Sequence, residues 1–184
     1  MARTRWIRVV VCGLLWAIAA VPALGQPPSE ASPRHDASDG AFLKQALAVN
    51  ELELRLGRLA GEQATTAEVK SMGKNMVQKH TELGQKLSVL AKQAGVSPEP
   101  ALTADQQETF AHVKSQTGPT FDRVFKQTVD DGHVSELAMY RDEVSRATNP
   151  QLRRLAEDRV TALQKSMAAA GQRTEPSESG TGAR

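Results

Sequence analysis

From Asp39 to Gln172 the apolar residues recur at spacings of three and four, and no segment alternates with period two over the length of a strand. A chain patterned in this way can bury its hydrophobic surface only as packed helices. The first helix is expected from about Gly40 to Gly61, with Phe42, Ala46, Val49, Leu56 and Ala60 on one stripe. The second opens at Thr65, with Glu68 three residues on as its capping-box partner, and closes at Gly95. Thr103 and Gln106 cap a short helix that ends near Gln116, and Gly118-Pro119 breaks the chain before a long helix from Thr120 to Ala147. Asn149-Pro150 starts the last helix, since Asn caps and Pro fits a first turn. With hairpin-length connections, the expected fold is all-α: an antiparallel four-helix bundle with a short extra helix between the second and third long helices. No internal repeat is evident.

The two ends read differently from the middle. Met1 to Arg8 is cationic, Val9 to Val21 is almost wholly apolar, and Ala23-Leu24-Gly25 offers small residues where a signal peptidase cuts. The apolar run of roughly 13 to 16 residues is short for the ~20 that span a bilayer. A Sec signal peptide over residues 1–25 is expected, with an anchor retained in the membrane as the alternative, and the envelope or periplasm as the destination. Residues 26–38 (QPPSEASPRHDAS) and the tail over 173–184 have the composition of disordered arms, which leaves 39–172 as the domain.

Removing the leader changes the chemistry available. The whole chain has 23 Lys plus Arg against 21 Asp plus Glu and a net charge of +2; the leader holds Arg3, Arg5 and Arg8, so the remainder carries +2 − 3 = −1. A basic field for nucleic acid is therefore not expected. Cys12, Trp6 and Trp16 also lie in the leader, so the rest has no thiol for a disulfide, a thiolate metal site or a nucleophile. Phosphate-binding, dinucleotide and hydrolase motifs are missing as well: the sequence has no P-loop, no Gly-rich dinucleotide turn, no His-Glu-x-x-His and no Gly-x-Ser-x-Gly.

The informative positions are polar residues on apolar stripes. Glu53 lies between Val49 and Leu56, His80 between Met76 and Leu83, and His133 and Glu136 fall within the stripe Phe125, Val129, Tyr140. Unpaired buried charge is costly, so inward carboxylates and imidazoles should meet each other, a metal ion or water. Three readings stay open: a hydrogen-bonded Glu–His cluster, a divalent or copper ion held by Glu53, His80, His133 and Glu136, or an acid–base pair. A di-iron centre normally uses two Glu-x-x-His units, and the chain has none; His133-x-x-Glu136 is the reverse order. The last helix brings Arg159 and Ser166 near its stripe, neither an obvious ligand. His35 lies in the N-terminal arm, and His112 marks a helix edge. Met72, Met76, Met139 and Met167 sit at core spacing, although thioethers one turn apart before His80 could also take copper(I).

Glu53-Leu54 with Gly57-Arg58-Leu59-Ala60, then Glu68-Val69-Lys70, Met76-Val77 with His80, Phe121-Asp122-Arg123, and Asp131 with His133 resemble the bacterial "domain of unknown function 4142" family over about 39–170. The resemblance implies an exported, ferritin-like helical bundle without an established activity. It also implies that Glu53, His80 and His133 are the positions at which family residues recur. Here the last helix has Ser166 where members often carry a His, and Lys79 and Gly132 where an Asp commonly precedes each His. Two functions follow as expectations. One is a non-enzymatic envelope protein, structural or stress-related, that acts through its surface on an envelope protein partner or a second copy of itself. The other is a ferritin-like metal-binding or small redox protein.

Overall fold

The computed structural model describes residues 37–174 and the side chains of 38–171. The expected leader (1–25), most of the expected N-terminal arm and most of the tail lie outside the described residues. Five helices follow in order: α1 (Ala37–Gln63), α2 (Ala67–Gln93), α3 (Ala104–Lys114), α4 (Gly118–Arg146) and α5 (Pro150–Thr174). Among the described residues there is no strand, and the chain is a helical bundle. α1 packs along α2 and α4 along α5; α1 also meets α4, and the short α3 lies on both of them.

The helix ends follow local chemistry, with one shift from expectation. The cap of α2 is Thr66, whose side chain accepts from Val69 N, and not Thr65. Gly95 closes α2 at φ +69°, with Val96 N bonded to Ala91 O and Gly95 N to Lys92 O; this is the paired-bond ending that a left-handed glycine permits. Thr103 and Gln106 form the expected capping box on α3. Asn149 Oδ1 accepts from Gln151 N and Leu152 N at the start of α5.

Two apolar cores fill the bundle. Phe42, Leu43, Leu87, Leu90, Tyr140, Leu152 and Leu163 belong to one, and Leu56, Ala60, Val69, Met76, Val113, Phe121, Phe125 and Val129 to the other. Each Leu, Val, Phe or Met side chain among them contributes about 1.5–3 kcal/mol by leaving water. α1, α2 and α4 pass from one core to the other at their buried polar residues: Asn50 and Glu53, His80, and His133 and Glu136. A polar belt thus divides the interior.

The hairpins α1–α2 and α4–α5 are built alike, which corrects the expectation of a chain without repeats. A shift of 83 positions (Asp122 minus Asp39, Glu136 minus Glu53) brings Asp39, Phe42, Glu53, Ala64 and Thr65 onto Asp122, Phe125, Glu136, Ala147 and Thr148, and the cap Thr66 onto the cap Asn149. The roles correspond too. Asp122, in the second turn of α4, accepts from Thr65 N (2.9 Å), Thr65 Oγ1 (2.8 Å) and Thr66 N (2.9 Å) in the α1–α2 loop. Asp39, in the first turn of α1, accepts from Thr148 N (3.1 Å), Thr148 Oγ1 (2.8 Å) and Asn149 N (3.0 Å) in the α4–α5 loop. Each hairpin therefore closes the loop of the other, the reciprocal pattern of a self-complementary interface. A period of 83 with few identities escapes a search for short repeats.

The halves differ where they pack. A Cβ on Gly73 would lie 2.6 Å from Gly57 O and 2.7 Å from Ala60 Cβ, so α1 and α2 approach backbone to backbone. The positions matching Gly57 and Gly73 are Tyr140 and Ala156. Tyr140 instead sets its ring edge-on to Phe42, 5.2 Å between centroids at 81°.

Candidate functional site

The belt gathers three of the four expected site residues around a fifth side chain. On α1 and α2, Glu53 Oε2 stands 2.5 Å from His80 Nε2, and His80 Nδ1 is 3.0 Å from Asn50 Oδ1. The Glu53–His80 approach is a close ion contact, since Oε2 has no hydrogen-bond partner of good angle. On α4 and α5, Arg159 donates from Nε to Glu136 Oε1 (2.8 Å) and from Nη2 to Glu136 Oε2 (2.6 Å). The same Nη2 lies 3.4 Å from His80 Nε2 and 3.6 Å from Glu53 Oε2, so the guanidinium joins the two halves. His133 is buried nearby and shares with His80 and Arg159 the lining of a cleft of about 590 Å³.

Under the 83-residue shift the belt is asymmetric. Glu53 and Glu136 correspond, but Asn50 matches His133, Met76 matches Arg159, and His80 matches Leu163. One half therefore contributes a carboxylate and an imidazole, and the other a carboxylate and a guanidinium. The ring nitrogens of His80 face Asn50 Oδ1 on one side and Glu53 Oε2 with the Arg159 guanidinium on the other.

Electrostatics follow from this pairing. Burial alone would raise the Glu53 carboxyl, but the His80 ring, Arg159 and His133 together bring it below the ordinary carboxylate value. Burial and the Glu53 charge push Glu136 up, against the pull of Arg159. Burial would lower Arg159, and Glu136 with Glu53 more than offsets it. Burial lowers His133, with Arg159 and His80 adding to the effect against the attraction of Glu53 and Asp130. The Tyr140 hydroxyl, buried without a hydrogen-bond partner, is raised by burial and by Glu136.

The remaining candidates take no part in the belt. Met76 packs in the core and Met72 against it. His112 is exposed, with its carbonyl accepting from Ser115 Oγ. His35 lies outside the described residues. Ser166 lines the cleft beside His133. Sequence reasoning passed over Arg159 and Asn50 because neither is a usual ligand. The signal was nonetheless present: Leu152, Ala156, Arg159 and Leu163 keep one stripe of spacing three and four, and an arginine on it must be paired.

Residues 24–172 match the family model described as "Domain of unknown function (DUF4142)". The chain belongs to this family. The order of motifs that carried the resemblance thus spans the helical domain, and Glu53, His80 and His133 all lie buried at the belt between the two cores. None of the curated proteins matches the chain. Among solved structures it is similar in fold to a DUF305 fragment from Deinococcus radiodurans, with a TM-score of 0.68 at 16% identity over 76% of this chain and 97% of that one.

A resident metal, which a ferritin-like fold would suggest, does not fit the belt as it stands. Among the described residues no group of three or more His, Cys, Asp or Glu is arranged to hold an ion. The guanidinium of Arg159 occupies the space toward which Glu53, Glu136 and His80 converge.

Proposed function

We propose that this member of the family is an exported envelope protein, folded as a ferritin-like four-helix bundle, that works by binding a partner and not by catalysis. The observation that carries the reading is the pairing of Arg159 with Glu136 and of His80 with Glu53. It pairs the charged groups of the belt with one another and leaves a wide cleft open between α2 and α5. The leader composition supports export, and no described helix is long and apolar enough to cross a membrane.

The cleft has two parts that meet at Lys79, Arg159 and Ala162. The larger, of about 660 Å³, is walled by Leu83, Leu90 and Leu155. Val89 on its lip is 55% exposed. Lys79, Lys86 and Arg154 rim it together with Glu82 and Asp158. An apolar trough with charged rims suits an amphipathic helix of an envelope protein, whose apolar face would fill the trough. A photo-crosslinker at Val89, used in intact envelope, should trap one discrete partner, and Leu155→Asp should abolish the adduct while leaving the bundle folded. No adduct, or one indifferent to Leu155→Asp, would reject the reading.

A further inference from the structure

The polar belt is a divalent-cation site whose cation is supplied by the chain itself. We infer that the Arg159 guanidinium stands in the place of a metal ion, and that removing it opens a site for a borderline divalent ion such as Zn(II) or Co(II), with Glu53, Glu136 and His80 as ligands. This inference is independent of the α2/α5 cleft reading.

Distances locate the site. Arg159 Nη2 lies 2.6 Å from Glu136 Oε2, 3.4 Å from His80 Nε2 and 3.6 Å from Glu53 Oε2. Oxygen and nitrogen ligands lie ~2.0–2.2 Å from such an ion. Glu136 thus needs to move by about 0.5 Å, His80 by about 1.3 Å and Glu53 by about 1.5 Å, within the reach of side-chain rotations. The Glu53–His80 separation of 2.5 Å already brings two donor atoms within the span of one ion.

The surroundings are those of a ligand set. His80 presents Nε2 inward while Nδ1 meets Asn50 Oδ1, the outer hydrogen bond that commonly orients a metal-bound imidazole. Glu53, Glu136 and His80 are all buried and held on three different helices, so the geometry is imposed by packing. The Tyr140 hydroxyl, buried without a partner on the α4 turn next to Glu136, is a second polar group left for an occupant or its water. The belt is reached from two sides. His80, His133 and Arg159 line the cleft beside α5, while Glu53 and Glu136 line another of about 410 Å³. On that second side, Gly132 leaves the approach to Glu53 Oε1 open, since a Cβ there would lie 3.7 Å from it. The residue matching Arg159 in the other hairpin is Met76, so Arg159→Met gives both halves the same apolar side chain at this position.

The test is Co(II) titration of the wild-type protein, Arg159→Met and Arg159→Gln, read by visible absorption and by thermal unfolding with and without metal. The wild type should show neither d–d bands nor a shift in Tm. Each variant should bind one Co(II) with d–d bands of a low-coordinate N/O site, and should gain several degrees in Tm with Co(II) or Zn(II). Adding Glu53→Gln should remove both signals. A variant that folds only in the presence of metal would support the inference equally, because binding would then supply the missing stability. Folded variants that leave Co(II) unbound, variants that no metal restores, or a wild type that binds as well as they do would overturn it.

Discussion

Arg159 holds both oxygens of Glu136 through two different nitrogens, at 2.8 and 2.6 Å, with its own side chain 11% exposed and that of Glu136 2%. Breaking such a pair from one side leaves a bare charge between two apolar cores. Arg159→Ala should therefore cost about 3–5 kcal/mol in the absence of metal. Arg159→Met combined with Glu136→Leu should recover much of the loss, because no uncompensated charge remains. Urea unfolding of the single and double variants distinguishes this from simple loss of packing, which the double variant would not recover.

The clamp made by Asp122 predicts an acid limb. Burial would raise this carboxyl, but the Thr65 and Thr66 amides and hydroxyl bonding hold it at about 2, below its ordinary 3.8. A depressed carboxylate stabilises the fold above its unfolded value, and that stability is lost as pH falls through the folded value. Asp122→Asn should lower Tm at pH 7 and flatten its fall between about pH 4 and pH 2. Asp122→Ala should cost about 1–3 kcal/mol at neutral pH, as expected for hydrogen bonds to a charged acceptor.

His133 predicts a second limb of a different kind. Its proton affinity is lowered in the fold, chiefly by burial, so the unfolded chain takes up the proton first. Stability should thus be full above the ordinary value of 6.5 and decline as pH falls below it. His133→Asn, which installs the residue found at the matching position 50, should remove this decline between about pH 6.5 and 5. Thermal unfolding across that window in both proteins is the measurement, and an unchanged slope would refute the assignment.

Two glycines of the first hairpin should respond in opposite ways. Gly73→Ala places a methyl 2.6 Å from Gly57 O, where only backbone can yield, and should cost about 1–3 kcal/mol or more. Gly61→Ala meets nothing within 4 Å in the last turn of α1 and should stabilise by up to about 0.5 kcal/mol. Parallel urea titrations would test the pair.

Much was legible in the sequence because helices are local. The apolar stripes, the Thr103–Gln106 box, the Asn149 cap and Gly95 each depend on residues within a few positions, and each lies where its chemistry puts it. The inward placement of Glu53, His80, His133 and Glu136 also followed from helical spacing, which fixes the face a side chain takes. What the sequence could not give was the partner across the bundle. Thr65, expected to cap its own helix, bonds to Asp122 57 residues away, and Arg159, set aside as no ligand, proves to be the cation of the belt. The correspondence of the two hairpins was hidden for the same reason: apart from a few identities such as Asp39 and Asp122, the halves share roles more than residues. Periodicity along one helix says which groups point inward, and only the packing of four long helices decides which of those charges end up within 4 Å of each other.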